Sequence, residues 1–539
     1  MAAGQATSGR FAAERRLAIV KTQSREATRG TSILRSSPAF VILAIVAMST
    51  VNFAGPDLWR YLLGGRIFLT TGHLPLRDTF SYTAYGLPWL QHEWLAQTIM
   101  TLFYSAMGGF GLKIVKLGCD AAIVCLLAAA MNETGAPARV QRPVLILVAL
   151  ALAPQMQFRP QLFTDVLLAG LVALMAAEIY RGSRRLWIAI PLFAVWANLH
   201  GGFVVGLAAL ALYAGAVTVS DLWARRGLRR GARLTGITAG CAAATLLNPF
   251  GINAWLIVLH TVRDPFVSQY IVEWMSLPKV LAGSIGSTAA VIYIIPILLV
   301  VALAAVFVMT PTLDDAAMIA VAVMFALCAV EAVRNMQLAV IAAAIPLTRH
   351  AGLVARRRER SGPAGSHPEA GRAEAGRGFN PIVAGALAVV LAWGSGLFSP
   401  RFRLGLDYPS GAVAFLKAHR IRGNILSSCR WGGYLMCHLG PESKVFIDER
   451  WNLLYPHKVM EEFIRFDQGE PGGGAILNAY PTDFVLVPPN SKSSALVMSD
   501  SHWKIAFADP VSILFARESF HSAPAIEPAT KAAQAGFFP

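Results

Sequence analysis

The residues with most to offer chemically are acids, histidines and arginines at the edges of apolar runs. Asp57 stands in "AGPDLWRYLLGG", residues 54–65, just after the first such run, with Trp59 and Arg60 beside it. Glu93 stands in "LQHEWLAQ", next to His92. A carboxylate at a lipid–water boundary can take a proton from an acceptor hydroxyl as that oxygen attacks, if it stays ionised or is tuned toward neutrality by partial burial. Arg159 in "QFRPQLF" and Arg334 in "EAVRNMQL" can each grip a phosphate through the planar guanidinium fork. His92 can act as a second acid–base group or as a hydrogen-bond donor to phosphate. Asn198 and His200, in "ANLHGG", flank a turn whose two glycines would let a ligand approach the backbone.

Each of these has a plainer reading that the residues leave open. Asp57 fits equally as the N-cap of a helix in "PDLWRYLLGGRIFL", and Glu93 as a first-turn acid stabilised by the helix dipole. Arg159 has Asp165 as a local partner, Arg334 has Glu331, and Lys116 has Asp120 four residues on. A lone His92 is more often structural, and "ANLHGG" also reads as a helix-hairpin turn with polar caps. The candidate set is therefore Asp57 and Glu93 as catalytic residues, with Trp59, His92, Arg159, His200, Arg334 and Asn335 as substrate-binding residues. No metal ligand is assigned.

The elements that must position these residues are membrane helices. The chain of 539 residues is 55% hydrophobic and only 14% charged, with a mean hydropathy of +0.52. A soluble globular chain carries closer to a quarter charged residues. Eleven apolar runs stand near residues 37–54, 96–131, 143–156, 163–180, 187–199, 202–220, 235–250, 288–309, 316–332, 336–350 and 381–399. The second is too long for one crossing and is expected to break at Gly108-Gly109 into a surface helix and a span. The net charge of +16 does not point to nucleic acid, because its arginines sit in short clusters between apolar runs. Starting with a cytoplasmic N-terminus and alternating, every strongly basic loop falls on the cytoplasmic side, as the positive-inside rule requires.

That threading predicts a disordered basic tail at 1–36, a core at 37–350 with a first outer loop at 55–95, and a cytoplasmic linker at 351–380. A last span follows at 381–399 and a periplasmic α/β domain at 400–539. In that domain "GNILSSCRWGGYLMCHL", "KVFIDER" and "DFVLVPP" read as short strands, and "GAVAFLKAHR" and "HKVMEEFIRF" as helices. Cys429 and Cys437 would approach one another if the chain turned at Gly432-Gly433, so a disulfide is left open. Asp448, Glu449 and Arg450, with Trp451 and Tyr455, suit carbohydrate stacking or an ordinary strand-to-helix turn with surface charges. On the outer side the same parity gathers "PDLWR", "QMQFRPQLFTD", "WANLHGG", "LLNPFG", "RDPFVSQYIVEWMSLP" and "EAVRNMQL". Polar groups collected at one membrane face point to a single outward-facing cavity.

An acid directly after the first span, a long first outer loop with a second acid, about eleven spans and an outer C-terminal domain together resemble the GT-C superfamily. These are integral-membrane glycosyltransferases that use polyprenyl-phosphate-linked sugars. The loop "DLWRYLLGGRIFLTTGHLPLRDTFSYTAYGLPWLQHEW" is similar to the first loop of bacterial members, with an Asp followed by "G…P..D.FS.T..G..W..HEWL". The resemblance covers residues 37–399 and is strongest from 55 to 95. It implies a polytopic α-helical membrane protein with Asp57 as catalytic base, Glu93 assisting, and Arg159 and Arg334 holding the lipid phosphate. It also implies a bacterial inner membrane, a polyprenyl-phosphate-linked sugar as donor, and a cell-envelope glycan, lipid or protein as acceptor. "CRWGGYL" resembles the "WWDYG" element of oligosaccharyltransferases but lacks its Asp, so acceptor-peptide binding is not implied. No cofactor is certain, and a divalent metal is left open because a paired Asp-Glu next to the first span is missing. A lipid-linked glycan polymerase or ligase is the alternative within enzymes, and a transporter or flippase the alternative outside them. The charges gather at outer span ends rather than deep within spans, which favours the enzyme.

Overall fold

The computed structural model describes residues 37–50, 53–284, 291–361, 380–397, 399, 403–404, 407–519 and 527–528. The basic tail at 1–36 and residues 362–379 of the expected linker lie outside the described residues.

The membrane part is a helical bundle. In order come α1 (Pro38–Met48), α2 (Leu58–Thr71), α3 (Trp94–Glu133), α4 (Ala138–Leu152), α5 (Gln161–Arg181), α6 (Ala189–Leu199), α7 (Phe203–Trp223) and α8 (Arg229–Ala244). There follow α9 (Asn253–Arg263), α10 (Pro265–Tyr270), α11 (Leu277–Ser284), α12 (Val291–Met309), α13 (Ala316–Glu331), α14 (Met336–Arg360) and α15 (Pro381–Gly394). Each of the eleven apolar runs contains a helix. Among the described residues, five helices are long and apolar enough to cross a bilayer, and four shorter ones are also apolar. α3 departs from helical geometry at Gly108, with φ 58° and ψ −143°, which is the break expected there. Only glycine takes such a conformation without strain.

α14 is the centre of the bundle. Every residue from Met336 to Thr348 is buried, and α3, α4, α5, α12 and α13 pack around it. Ala339, Ala342, Ala343 and Ala344 let these neighbours approach closely, which is how helices associate where no hydrophobic drive separates them from lipid. α14 runs on to Arg360, so the first ten residues of the expected linker are helical. No glycine or proline interrupts them before Ser361 apart from Gly352, which is buried against Ala136.

The basic loops share one end of the bundle. Arg181 pairs with Glu133, Arg230 and Arg233 with Glu178, and Arg349 and Arg356 donate to the carbonyls of Thr134 and Gly135. The opposite end carries the first loop, Arg159, His200, Arg334 and the C-terminal domain.

That domain holds a mixed sheet of β3 (Asn424–Ser427), β4 (Lys444–Val445), β5 (Phe484–Val487), β6 (Trp503–Ala508), β7 (Ile513–Arg517) and β8 (Glu527–Pro528) in the order β4-β3-β5-β7-β6-β8. α16 (Ser410–Ala418), α17 (Cys429–Leu439) and α18 (His457–Asp467) flank it. A separate parallel pair, β1 (Phe53–Ala54) with β2 (Arg403–Leu404), ties the start of the domain to the end of the first apolar run.

Most of "GNILSSCRWGGYLMCHL" is therefore helix, not strand. Its apolar residues fall on a helical face that buries Trp431, Tyr434, Leu435 and Leu439. Gly432 and Gly433 remain helical because the space for a side chain is taken. A Cβ on Gly432 would lie 2.6 Å from Asp448 Cβ, and one on Gly433 would lie 3.1 Å from the Arg60 amide nitrogen. This also settles the cysteines. Eight residues along one helix is about 12 Å, beyond the reach of a disulfide, and both thiols are free.

The first loop belongs structurally to the C-terminal domain. Ser81 bridges Val445 in parallel, the Tyr82 and Val445 amides bond across the join, and Tyr82 Oη meets Thr482 Oγ1 at 2.9 Å. Arg450 locks this contact: it is 1% exposed and pairs with Asp78 of the loop at 2.7 Å and with Asp448 at 2.6 Å. Of the charges at 448–450, Asp448 and Arg450 thus belong to an interior ion-pair network, closed by Tyr455 Oη donating to Asp448.

Trp59, assigned to substrate, faces the same interface. It is 3% exposed and meets Tyr408, Tyr434 and His438 edge-on at centroid distances of 6.0, 5.1 and 4.8 Å. Burial, with Lys417 and Arg66 adding to it, pushes His438 down from 6.5 to about 4. The folded state keeps this ring neutral while the unfolded chain protonates it below about pH 6.5, so the stabilisation is present above that pH and lost as pH falls toward 4. Thermal unfolding followed between pH 7.5 and 4.5 is expected to show a loss of stability that His438→Phe flattens; an equal slope in both proteins would refute it.

Candidate active site

Asp57 occupies the N-cap position of α2, but its side chain makes no capping bond. The carboxylate, 17% exposed, instead faces Arg159, with Oδ2 3.5 Å from Nε. Arg159 precedes Pro160, and a residue before proline is steered away from helical geometry, so it stands at the mouth of α5. Its guanidinium lies against Gly55, where an added Cβ would be 2.9 Å from Nη2. The chain turns into α2 at the one residue type that leaves room for the arginine.

Arg159 continues into a second acid. Its Nη1 donates to Glu273 Oε2 at 2.5 Å, and Arg334 Nη1 lies 3.6 Å from Oε1 of the same carboxylate. Arg334 sits on the short 3-10 turn between α13 and α14. It lies over Trp274 at 4.1 Å and exchanges bonds with Gln161, whose Oε1 accepts from Nη2 at 3.3 Å. So neither arginine takes the local partner offered by the sequence; both converge on Glu273. They line a cavity of about 110 Å³ together with Gln155, Asp165, Glu273 and Tyr293. Burial opposes the charges here, but the pairing outweighs it. Arg159 is held above its ordinary value by Asp57 and Glu273, and Glu273 below its own by Arg159 and Arg334.

Glu93 and His200 form an adjoining pair. His200 Nδ1 accepts from the Gly202 amide at 3.0 Å and meets Thr164 Oγ1 at 2.8 Å, while Trp196 Nε1 donates to the same hydroxyl at 2.8 Å. With Nδ1 accepting, the network assigns the proton to Nε2, which points at Glu93 Oε1 3.5 Å away. Burial first, then Arg334 and His92, holds His200 well below its ordinary value, and burial likewise lowers His92. Both imidazoles are neutral at pH 7. Asp57 and Glu93 act on the same buried neighbours, Arg60 and Tyr61, so the two groups share one region.

Other expected residues serve the framework. Asn335 donates to the Cys328 carbonyl at 3.0 Å, closing the end of α13. Asn198 caps the α6 turn through the Ala194 and Leu247 carbonyls and accepts from Trp94. Lys116 pairs with Asp120 at 2.6 Å. Among the described residues no group of three His, Cys, Asp or Glu side chains has the arrangement of a metal site.

One residue of this region, Glu273, was not singled out from sequence, and a second, Glu449, was read only as part of a carbohydrate-stacking patch or a turn. Glu273 lay within an outer segment whose aromatics and acids had been noted, but nothing local marks it as the shared partner of two distant arginines. Glu449, from the C-terminal domain, accepts from the Gly433 amide at 3.1 Å beside the start of α2. Burial, with Asp448 and Asp57 adding to it, raises its carboxyl well above the usual range.

No protein-family profile matches the chain, and no curated protein does. Among solved structures the chain is similar to the Archaeoglobus fulgidus oligosaccharyltransferase, with a TM-score of 0.50 and 10% identity over 83% of this chain and 69% of that one. It is also similar to the arabinofuranosyltransferase AftD from Mycobacteria, at TM-score 0.49 and 15% identity over 89% of this chain and 41% of that one. ArnT from Cupriavidus metallidurans, bound to undecaprenyl phosphate, follows at TM-score 0.43 and 13% identity over 90% and 97% of the two chains. At this level of identity the likeness is one of fold, shared with the Archaeoglobus fulgidus oligosaccharyltransferase. The chain is mostly helical, with five described helices long and apolar enough to cross a membrane and a small sheet domain toward its C-terminus.

Proposed function

We propose that this protein transfers a sugar from a polyprenyl-phosphate donor to an acceptor on the extracytoplasmic face of a bacterial inner membrane, in one inverting displacement. The observation that carries the reading is the placement of Asp57 3.5 Å from Arg159, which shares Glu273 with Arg334 beside an open cavity. A potential base and two phosphate-binding forks thus stand in one place although they come from far apart in the chain. The likeness in fold to an oligosaccharyltransferase supports glycosyl transfer as the chemistry. The gathering of arginines at the opposite end of the bundle supports an extracytoplasmic site.

In this mechanism Asp57 takes the proton of the acceptor hydroxyl. The oxygen attacks the anomeric carbon from the face opposite the phosphate, and the bond from that carbon to the phosphate oxygen breaks. Polyprenyl phosphate leaves with the bonding pair, its charge met by Arg159 and Arg334. Glu93, with His200 Nε2 3.5 Å from its Oε1, orients the acceptor.

Arg159→Lys and Arg334→Lys keep the charge and lose the fork. Each forfeits a charge-assisted hydrogen bond of about 1.5–3 kcal/mol, so kcat/KM for a synthetic polyprenyl-phosphate sugar in proteoliposomes should drop by about 10- to 100-fold. Unchanged turnover in both variants would remove the phosphate from this place.

A further inference from the structure

The two arginines that the proposed reaction needs for phosphate are already occupied. We propose that Glu273 is a built-in stand-in for the donor's phosphate, and that binding the donor displaces its carboxylate from Arg159 and Arg334. This rests on the reading that these arginines hold the donor phosphate.

Charge balance carries the argument. In the structure two guanidinium groups face two carboxylates, with Asp57 on Arg159 and Glu273 on both. A phosphate entering a cavity whose charges already cancel would be desolvated without a counter-ion, which is strongly unfavourable. Either Asp57 or Glu273 must give way. Asp57 is fixed at the first turn of α2 between Gly55 and Arg159. Glu273 is the more exposed, with 36% of its side chain open against 17% for Asp57.

The geometry of the carboxylate fits the role. It spans both arginines with one oxygen to each, at 2.5 and 3.6 Å, as a phosphate's paired oxygens do. Glu273 also lines the cavity beside which the displaced group would move.

The segment that carries Glu273 is anchored on both sides of it. Upstream, Asp264 Oδ2 meets His457 of the C-terminal domain at 3.2 Å, and Phe266 packs on Trp451 at 5.8 Å. Downstream, the Met275 carbonyl accepts from the Val333 amide next to Arg334 at 3.1 Å. Glu273 therefore sits on a segment held at one end to the domain and at the other to the arginine turn. Glu273 is a positioning residue in this scheme: it keeps both forks aligned without donor and yields them when the donor arrives.

The test is binding of a synthetic polyprenyl monophosphate to the full-length protein in nanodiscs, with inorganic phosphate and the uncharged polyprenol as further ligands. A seat held by Glu273 nine-tenths of the time weakens apparent affinity about tenfold. Glu273→Gln, and Glu273→Ala as a second variant, are thus expected to bind the lipid phosphate about tenfold more tightly and to lower KM for the donor without raising kcat. A merely structural Glu273 would instead lose thermal stability and affinity together. Tightening for the lipid phosphate alone supports the proposal with a lipid headgroup as occupant. Tightening for inorganic phosphate as well supports it with the phosphate itself as the recognised group. Unchanged or weaker binding in both variants, while Arg159→Lys and Arg334→Lys weaken it, overturns the stand-in and leaves the phosphate site intact. Arginine variants without effect overturn the site itself.

Discussion

Asp57→Asn is expected to lower kcat by about 10²- to 10⁴-fold, the range over which a positioned general base contributes, with no loss of folded protein. The side chain makes no cap bond and its short partner is a single arginine at 3.5 Å. Asparagine fills the same space and can still accept from Arg159, so the bundle has no reason to loosen. What disappears is the capacity to take a proton. Transfer from a polyprenyl-phosphate sugar, assayed in proteoliposomes beside a thermal unfolding curve, separates the outcomes. Full turnover by the variant would mean that another group is the base, and an unaltered cellular phenotype would favour the transporter or flippase reading.

Arg450→Leu should act through stability. The guanidinium is 1% exposed and bridges Asp78 of the first loop to Asp448 of the C-terminal domain, both fully buried. Removing one member of a buried ionic cluster leaves the others uncompensated, at about 3–5 kcal/mol. Its place over Trp89, at 4.5 Å, would be lost as well. Proteolysis at residues 73–93 and a lowered unfolding temperature would report the undocked loop. Combining the change with Asp78→Asn should recover part of the loss, since one orphaned charge goes with it. A variant as stable as the wild type would mean that the loop is held by its backbone bonds alone.

The helices, the break at Gly108 and the gathering of Asp57, Arg159 and Arg334 were legible in the chain, because apolar periodicity and the spacing of arginines around it follow from the bilayer. Three features were not. "SSCRWGGYLMCHL" is too short for periodicity to separate strand from helix, and its glycines suggested a turn although they mark close approach to Asp448 and Arg60. Trp59 lies next to Asp57 in sequence, but helical rotation aims it at Tyr408 and Tyr434 and away from the cavity. Glu273 is more than a hundred residues from Arg159, and nothing in single-sequence spacing announces a pairing of that range.

The join between Ser81 and Val445, and that between Phe53 and Arg403, has an evolutionary corollary. A terminal domain stitched to its loop by main-chain bonds cannot be exchanged between relatives by recombination at residue 400. Transplanted without residues 73–93 it would present a bare strand edge and an arginine missing half its counter-charge. The two distant segments are therefore expected to be inherited together, and chimaeras that keep residues 73–93 with the terminal domain are the ones expected to fold.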